Sequence, residues 1–441
     1  MRFRTGIATT SGRGPRVTVI LVVGVLATTL VACSSTSTQG PSSSSTTSTI
    51  PPAALRGTTG LTPTTVRIGN VSTLFGGLFK GAPVGVQAYA DYINSMGGVN
   101  GRKIVVDGAD DGYNNGANNK ALTQQDMTTD FAMVGSFSLN DAFGGTVLAA
   151  DPSVPNVSVA LDGANNNLPN TFSPSPASGG WQLGPLVYFQ KKYPNDVLHA
   201  GALISNQALA ITKWNGEKAA MQHLGYHVAY DPTFDITQTD FTQYVIAMRN
   251  AGVKILFIEQ MPENYASAVF KALAQQNFHP VVVLGASTYS QALVPASGGA
   301  SATDGSYLEQ SASLYLGEDT ASIPADSQFL SQVQKSSPGF KPDLFTLYGW
   351  ISAQLFVQAL RAAGPNPTRG SVLQALRSIK TFTGGNLIAP VNPAAKTPAS
   401  CYIIAQIKSG QFTRVDDTAL SSPNGGYRCD QPYFYPPGTK P

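Results

Sequence analysis

The sequence predicts an α/β protein of two doubly wound parallel-sheet lobes with a ligand cleft and hinge between them. Three observations lead there. Short apolar runs alternate with helix-patterned segments from Thr65 onward, which is the rhythm of parallel βαβ units. That rhythm breaks at residues 170–180 (NTFSPSPASGG) and then restarts. The chain has 441 residues, more than the roughly 250–300 residues at which a single core stops growing.

The elements follow in order. Residues 66–74 (VRIGNVSTL) form a buried-strand pattern. Residues 84–93 carry Val84, Ala88, Tyr89, Tyr92 and Ile93 at helical spacing, and Gly97-Gly98 stops that helix. Residues 103–107 give a second strand, 118–127 a second helix, and 131–135 and 157–160 two more strands. After the break, strands are expected at 200–205, 228–230, 255–259 and 281–284. Helices are expected at 211–224, 241–250 and 265–275. In such sheets the loops at the carboxyl ends of the strands face a cleft, where helix N-termini offer free N–H groups to anionic ligands. Closure of two lobes on a hinge gives such a protein an open and a closed state.

The N-terminus has a different grammar. Arg2, Arg4, Arg13 and Arg16 precede an apolar run at 17–32 (VTVILVVGVLATTLVA), the order of a secretory signal. The run is shorter than the roughly 20 residues of a membrane-spanning helix. It ends at Leu30-Val31-Ala32-Cys33, a sequence similar to the lipobox of bacterial lipoproteins. Residues 1–32 are therefore expected to be a lipoprotein signal and Cys33 the lipidated residue. An uncleaved membrane anchor is the alternative. Residues 33–62 are Ser, Thr, Pro and Gly with almost nothing large, a composition that cannot offset its ordering entropy and is expected to act as a disordered tether.

Composition excludes several classes. The chain has 28 Lys and Arg against 25 Asp and Glu. Removal of the signal leaves 24 against 25, so no basic surplus points to nucleic acid. Charged residues are 12% of the chain, well under the usual ~25%. Of the three cysteines, Cys401 and Cys429 remain near the C-terminus. An exported chain pairs two such residues as a disulfide, with two free buried thiols as the alternative. His223 and His227 are four apart, but Gly225 and the following strand interrupt the helix that would align them, and no metal site is expected. No GxSxG elbow and no GxxxxGK[ST] loop is present, so neither an enzyme nor a cofactor is expected.

Several segments together resemble the substrate-binding proteins of ABC importers, specifically the branched-chain amino-acid (Leu/Ile/Val-binding) group with the type I periplasmic-binding fold. They are GGVNGRKI at 97–104, Asp110-Asp111-Gly112-Tyr113-Asn114, TDFTQYVIAMRNAGVKILFI at 239–258, and Leu347-Tyr348-Gly349-Trp350 opening an Ala-rich helix. The resemblance runs from about Thr65 to about Val415. It implies three crossings between lobes, with 63–178 plus 304–380 in the first lobe and 179–303 plus 381–441 in the second. Cys401 and Cys429 would then share the second lobe. It also implies a monomer that captures a small-molecule ligand and delivers it to ABC permease subunits, touching the membrane through its lipid anchor alone. A ligand-sensing lipoprotein reporting to a membrane receptor or kinase has the same fold and is the alternative.

The resemblance also implies the ligand loops. In the first, 73–79, Phe79 would cover an apolar group. In the second, 136–141, Ser138, Leu139 and Asn140 would meet a carboxylate, with a plain helix cap as the alternative for Ser138. In the third, 160–164, Leu161 and Asp162 would face ligand, and Asp162 would pair with a cation or cap the turn. In the second lobe Gln207, Gln260, Ser287 and Tyr289 follow strand ends. The family's threonine for the α-ammonium is missing from the third loop. Ser287 or its neighbour stands where amino-acid binders usually have a glutamate. A buried ammonium without an opposite charge is costly, so a carboxylic acid, an amide or an apolar metabolite is a rival ligand.

Overall fold

The computed structural model describes residues 50–51, 53–176, 179–259, 261–415 and 424–438. Cys33, the signal and most of the tether lie outside the described residues, as does Gln260. Two main sheets carry the fold. The first has four parallel strands, in the spatial order Lys103–Asp110, Thr65–Ser72, Ala132–Val134, Asn156–Val157. Thr65–Ser72 is buried along nearly its whole length, as a central parallel strand covered on both faces must be. Lys103–Asp110, at the edge, buries only Ile104.

The second sheet has seven strands. Val228–Tyr230, Ala200–Ala202, Ile255–Ile258, Val281–Gly285 and Tyr307–Gln310 run parallel, and the hairpin Ile403–Lys408 and Gln411–Arg414 continues the sheet antiparallel. Tyr307–Gln310 falls inside the stretch 304–380 that the resemblance gives to the first lobe, yet it hydrogen-bonds within this second sheet.

Helices cover both sheets. Gly81–Ser95 packs against Leu344–Ala362, the helix that brings the C-terminal half of the chain back to the first sheet. Leu344–Ala362 starts at a capping box, in which the Asp343 side chain accepts from Thr346 N and the Thr346 hydroxyl meets the Asp343 backbone. The two helices touch at backbone level. A Cβ on Gly85 would lie 2.0 Å from Thr346 O, and one on Gly349 would lie 2.0 Å from Ala82 O. Only glycine permits that approach.

Two expected strands are shorter than their apolar runs. The run 200–205 splits at Leu203, with only Ala200–Ala202 kept in the main sheet. Ile204–Ser205 then pairs with Thr233–Phe234 in a separate two-stranded ribbon. The run 157–160 keeps strand pairing only at Asn156–Val157, and Ser158 instead accepts the Ser136 N–H through its hydroxyl.

Cys401 and Cys429 form a disulfide. It holds the C-terminal tail where Tyr402 and Arg428 exchange backbone hydrogen bonds. Beyond it, Tyr433–Phe434 pairs with Trp181–Gln182. Ala312 and Ile388 form a bridge between two segments far apart in sequence. Gln182 ties a third segment to them, donating to Ser311 Oγ and to Ala399 O, both at 2.6 Å. No helix among the described residues is long and apolar enough to cross a membrane.

Candidate functional site

A cavity of about 400 Å³ opens where the loops after the strands of both sheets meet. One wall is aromatic. The Phe79 ring lies edge-on to Phe137 at 4.6 Å and to Phe345 at 4.7 Å, and Phe137 stacks on Tyr348 at 6.0 Å. Phe79 and Phe137 come from two loops, and Phe345 and Tyr348 from the start of Leu344–Ala362, the helix in backbone contact with Gly81–Ser95. Ser175 donates to the Tyr348 hydroxyl at 3.3 Å, which joins this wall to the segment leading to Trp181.

The opposite wall is built on the second sheet. Gln207, Met261, Ser287 and Gln310 line it, together with Glu259, Glu309 and Lys213. Glu259 and Glu309 are buried, at 7% and 8% exposure. Burial pushes the Glu309 carboxyl up to about 7. Burial, then the neighbouring Glu217 and Glu309, push Glu259 well above the ordinary carboxylate range. Burial holds the Lys213 ammonium below the usual lysine range. Among the described residues, no cluster of three or more His, Cys, Asp or Glu side chains could hold a metal ion.

The sequence-expected ligand residues divide by position. Phe79, Leu139, Leu161, Gln207 and Ser287 line the cavity. Ser287 spends its hydroxyl on the carbonyls of Glu259 and Met261, at 3.1 and 2.9 Å. Four others lie outside the lining. Ser138 is 2% exposed, donates to Asp111 and accepts the Asn140 N–H. Asp111 also accepts from Thr73 and Asn119, each at 2.8 Å, so Ser138 belongs to the polar knot that fixes the second loop. Asn140 donates to Gly112 O. Asp162 caps the short helix Gly163–Asn166. Tyr289 is 1% exposed and donates to Glu318 at 2.6 Å within an aromatic core with Tyr315 and Phe412. Gln260 lies outside the described residues.

Sequence reasoning did not single out Phe137, Phe345, Tyr348, Lys213, Glu259 or Glu309. Two of these carried a signal. Glu259 and Glu309 each interrupt an apolar strand run (ILFIE and YLEQ) with a charge, and an acid at the end of a buried parallel strand points to the cleft.

Two α/β lobes with a mostly apolar cavity between their strand ends define a small-ligand-binding protein. Residues 65–411 match the family model described as periplasmic binding protein, and the chain belongs to that family. No curated protein sequence matches. Solved structures share the fold. A fatty acid ABC transporter substrate-binding protein from Thermomonospora curvata superposes with a TM-score of 0.68 at 18% identity, covering 86% of this chain and 94% of that one. A branched-chain amino acid transporter substrate-binding protein from Streptococcus pneumoniae, in complex with isoleucine, gives 0.65 at 18%, covering 80% and 99%. A solute-binding protein of an ABC transporter from R. palustris, in complex with 4-hydroxybenzoate, gives 0.66 at 16%, covering 83% and 98%.

Proposed function

We propose that the chain is an extracytoplasmic solute-binding lipoprotein. It captures a small molecule with an apolar body, an amino acid or related metabolite, and delivers it to an ABC permease. The observation that carries this reading is the cavity itself, which is set between the strand ends of both sheets and walled by Phe79, Phe137, Phe345 and Tyr348. The three structural relatives named above are described with a fatty acid, isoleucine and 4-hydroxybenzoate, each an apolar body with a polar end. Anchorage would come from lipid on Cys33, and the protein would work as a monomer. The tether expected at 33–62 is shortened to end before Ala54, which is buried where Ala54–Arg56 packs on Arg369–Ser378. The lobes we propose are 63–178 with 304–380 and 179–303 with 381–441, except that Tyr307–Gln310 stays with the second sheet into which it pairs. Phe79, Leu139, Leu161, Gln207 and Ser287 are proposed to touch ligand. Ser138, Asn140, Asp162 and Tyr289 are proposed to hold the loops that do.

A thermal-shift screen tests the reading. Residues 48–441 form one compact unit, which can be purified without the lipid anchor. The panel holds amino acids, short and aromatic acids, fatty acids, amides, amines and sugars. A true ligand at about 100 times its Kd adds about 2.7 kcal/mol, an upward shift of a few degrees at this size. If no compound raises Tm, the solute-binding reading fails for all of these classes.

A further inference from the structure

The cavity lining holds two acids and one lysine, Lys213, with no ion pair between them. Glu259 closes the strand Ile255–Ile258 and Glu309 sits in Tyr307–Gln310. Between them Val281–Gly285 ends on Gly285, which is in register with Glu309. A Cβ there would come within 2.9 Å of the Glu259 Cα and Cβ. The glycine therefore leaves no side chain to separate the two carboxyls. Neither acid forms an ion pair with a lysine or arginine among the described residues. Glu217, fully buried, also adjoins Glu259, and buried carboxyls side by side cost folding energy.

The neighbouring polar atoms have the same sense. Gln310 is 2% exposed and its Oε1 has no hydrogen-bond partner, while its Nε2 already donates to Ser313 O. The Ser287 hydroxyl is spent on two carbonyls. The spare atom on this wall, Gln310 Oε1, is an acceptor, so what completes it is a donor. A compact, charged donor with three N–H bonds suits a cluster of this kind.

Building on the solute-binding reading, we propose that the ligand is an apolar-bodied primary amine. Its ammonium sits against the carboxyls of Glu259 and Glu309 beside Gln310, and its body lies on the aromatic wall of Phe79, Phe137 and Phe345. The entering ammonium displaces one of the protons that the two carboxyls hold. One cation enters, one proton leaves to solvent, and the buried charge is unchanged. Lys213 is the only basic side chain among the described cavity-lining residues. It forms no ion pair with Glu259 or Glu309.

The test is titration calorimetry of residues 48–441 with octylamine, octanoate and octanol between pH 5.5 and 8. Octylamine is expected to bind best. Its affinity should rise about tenfold per pH unit where the pair is still protonated, the slope of one released proton. Measured in two buffers of different ionisation heat at pH 6, binding should release close to one proton per amine. Glu309→Gln should weaken octylamine at least tenfold and abolish the proton release. The wild-type release needs no variant, so a misfolded variant does not spare the proposal. Tighter binding of octanoate, with affinity falling as pH rises, would overturn it, because the carboxyls would then be donating protons to an anion near Lys213. Octanol binding as tightly as octylamine, with no proton released, would overturn it as well. If none of the three binds while another panel compound raises Tm, the amine is excluded and the solute-binding reading stands.

Discussion

At the scale of the residue, Ser138 separates two kinds of information in one short loop. The sequence SFSLND marks a loop opening a helix, and the resemblance points its serine at a ligand carboxylate. The structure instead gives that hydroxyl to Asp111, which is fully buried, and to the Asn140 N–H. The side chains that reach the cavity from this loop are its neighbours Phe137 and Leu139. Loop position was legible in the sequence. The direction of each side chain was not, because it depends on Asp111 and Thr73 arriving from other strands. Ser138→Ala should therefore act on folding. Removing a donor from a buried carboxylate costs about 1–3 kcal/mol, and denaturant melts should show that loss with the m-value unchanged. Ligand affinity should change less than about twofold by the same argument. A large loss of affinity with stability intact would return Ser138 to the ligand.

At the scale of the element, periodicity located the main helices and strands of the βαβ rhythm to within a few residues. Gly116–Thr129, Val228–Tyr230, Ile255–Ile258 and Glu263–Gln275 lie on or around the expected runs. The hairpin Ile403–Lys408 and Gln411–Arg414 was not assigned, although its two-residue connection Ser409-Gly410, both at positive φ, is the turn chemistry of a hairpin. The Asp304 carboxylate accepts both of their N–H groups at 2.9 Å, a contact that no local pattern reveals. The pairing of Gly81–Ser95 with Leu344–Ala362 was likewise invisible, since its partners are more than two hundred residues apart. Its glycines make it testable. Gly349→Ala puts a methyl group 2.0 Å from Ala82 O, and neither backbone can yield without moving its helix. Overpacking of this kind costs about 1–3 kcal/mol or more. Gly163 has nothing within 4 Å of its Cβ position, so Gly163→Ala is the matched control and should leave Tm unchanged or raise it slightly. Equal Tm for both variants would mean that the helices are not in backbone contact.

At the scale of the whole molecule, the two-lobe architecture was legible because its rhythm is written twice along the chain. The chemistry of the cavity was not, because Glu259 and Glu309 become neighbours only through the register of three parallel strands. Buried acids recur elsewhere in the molecule, Asp130 among them in an ion pair with Arg67, and together they set its response to pH. Burial first, then Asp130, pushes Asp126 up to about 7. Burial pushes Asp326 to about 7 and Asp141 to about 6. Asp130 rises to about 6 through burial and its contact with Asp107, and Glu309 joins them at about 7. In the unfolded chain such groups titrate near 4. Between about pH 4 and 7 the folded state therefore binds more protons than the unfolded state. Stability that is complete below pH 4 is lost as pH rises through the folded values. Asp235 and Asp240 shift downward, but both are exposed, so solvent screening leaves them little influence. Burial pushes Lys396 down to about 7, which favours the folded state only as pH climbs above that value. The Tm of residues 48–441 should therefore fall steadily from pH 5 to pH 7 and flatten above it. Scanning calorimetry at half-unit steps would read this. A Tm that rises over the same interval would mean that these carboxyls are ionised and paired in the folded protein, and the acid pair of the cavity would lose its physical basis with them.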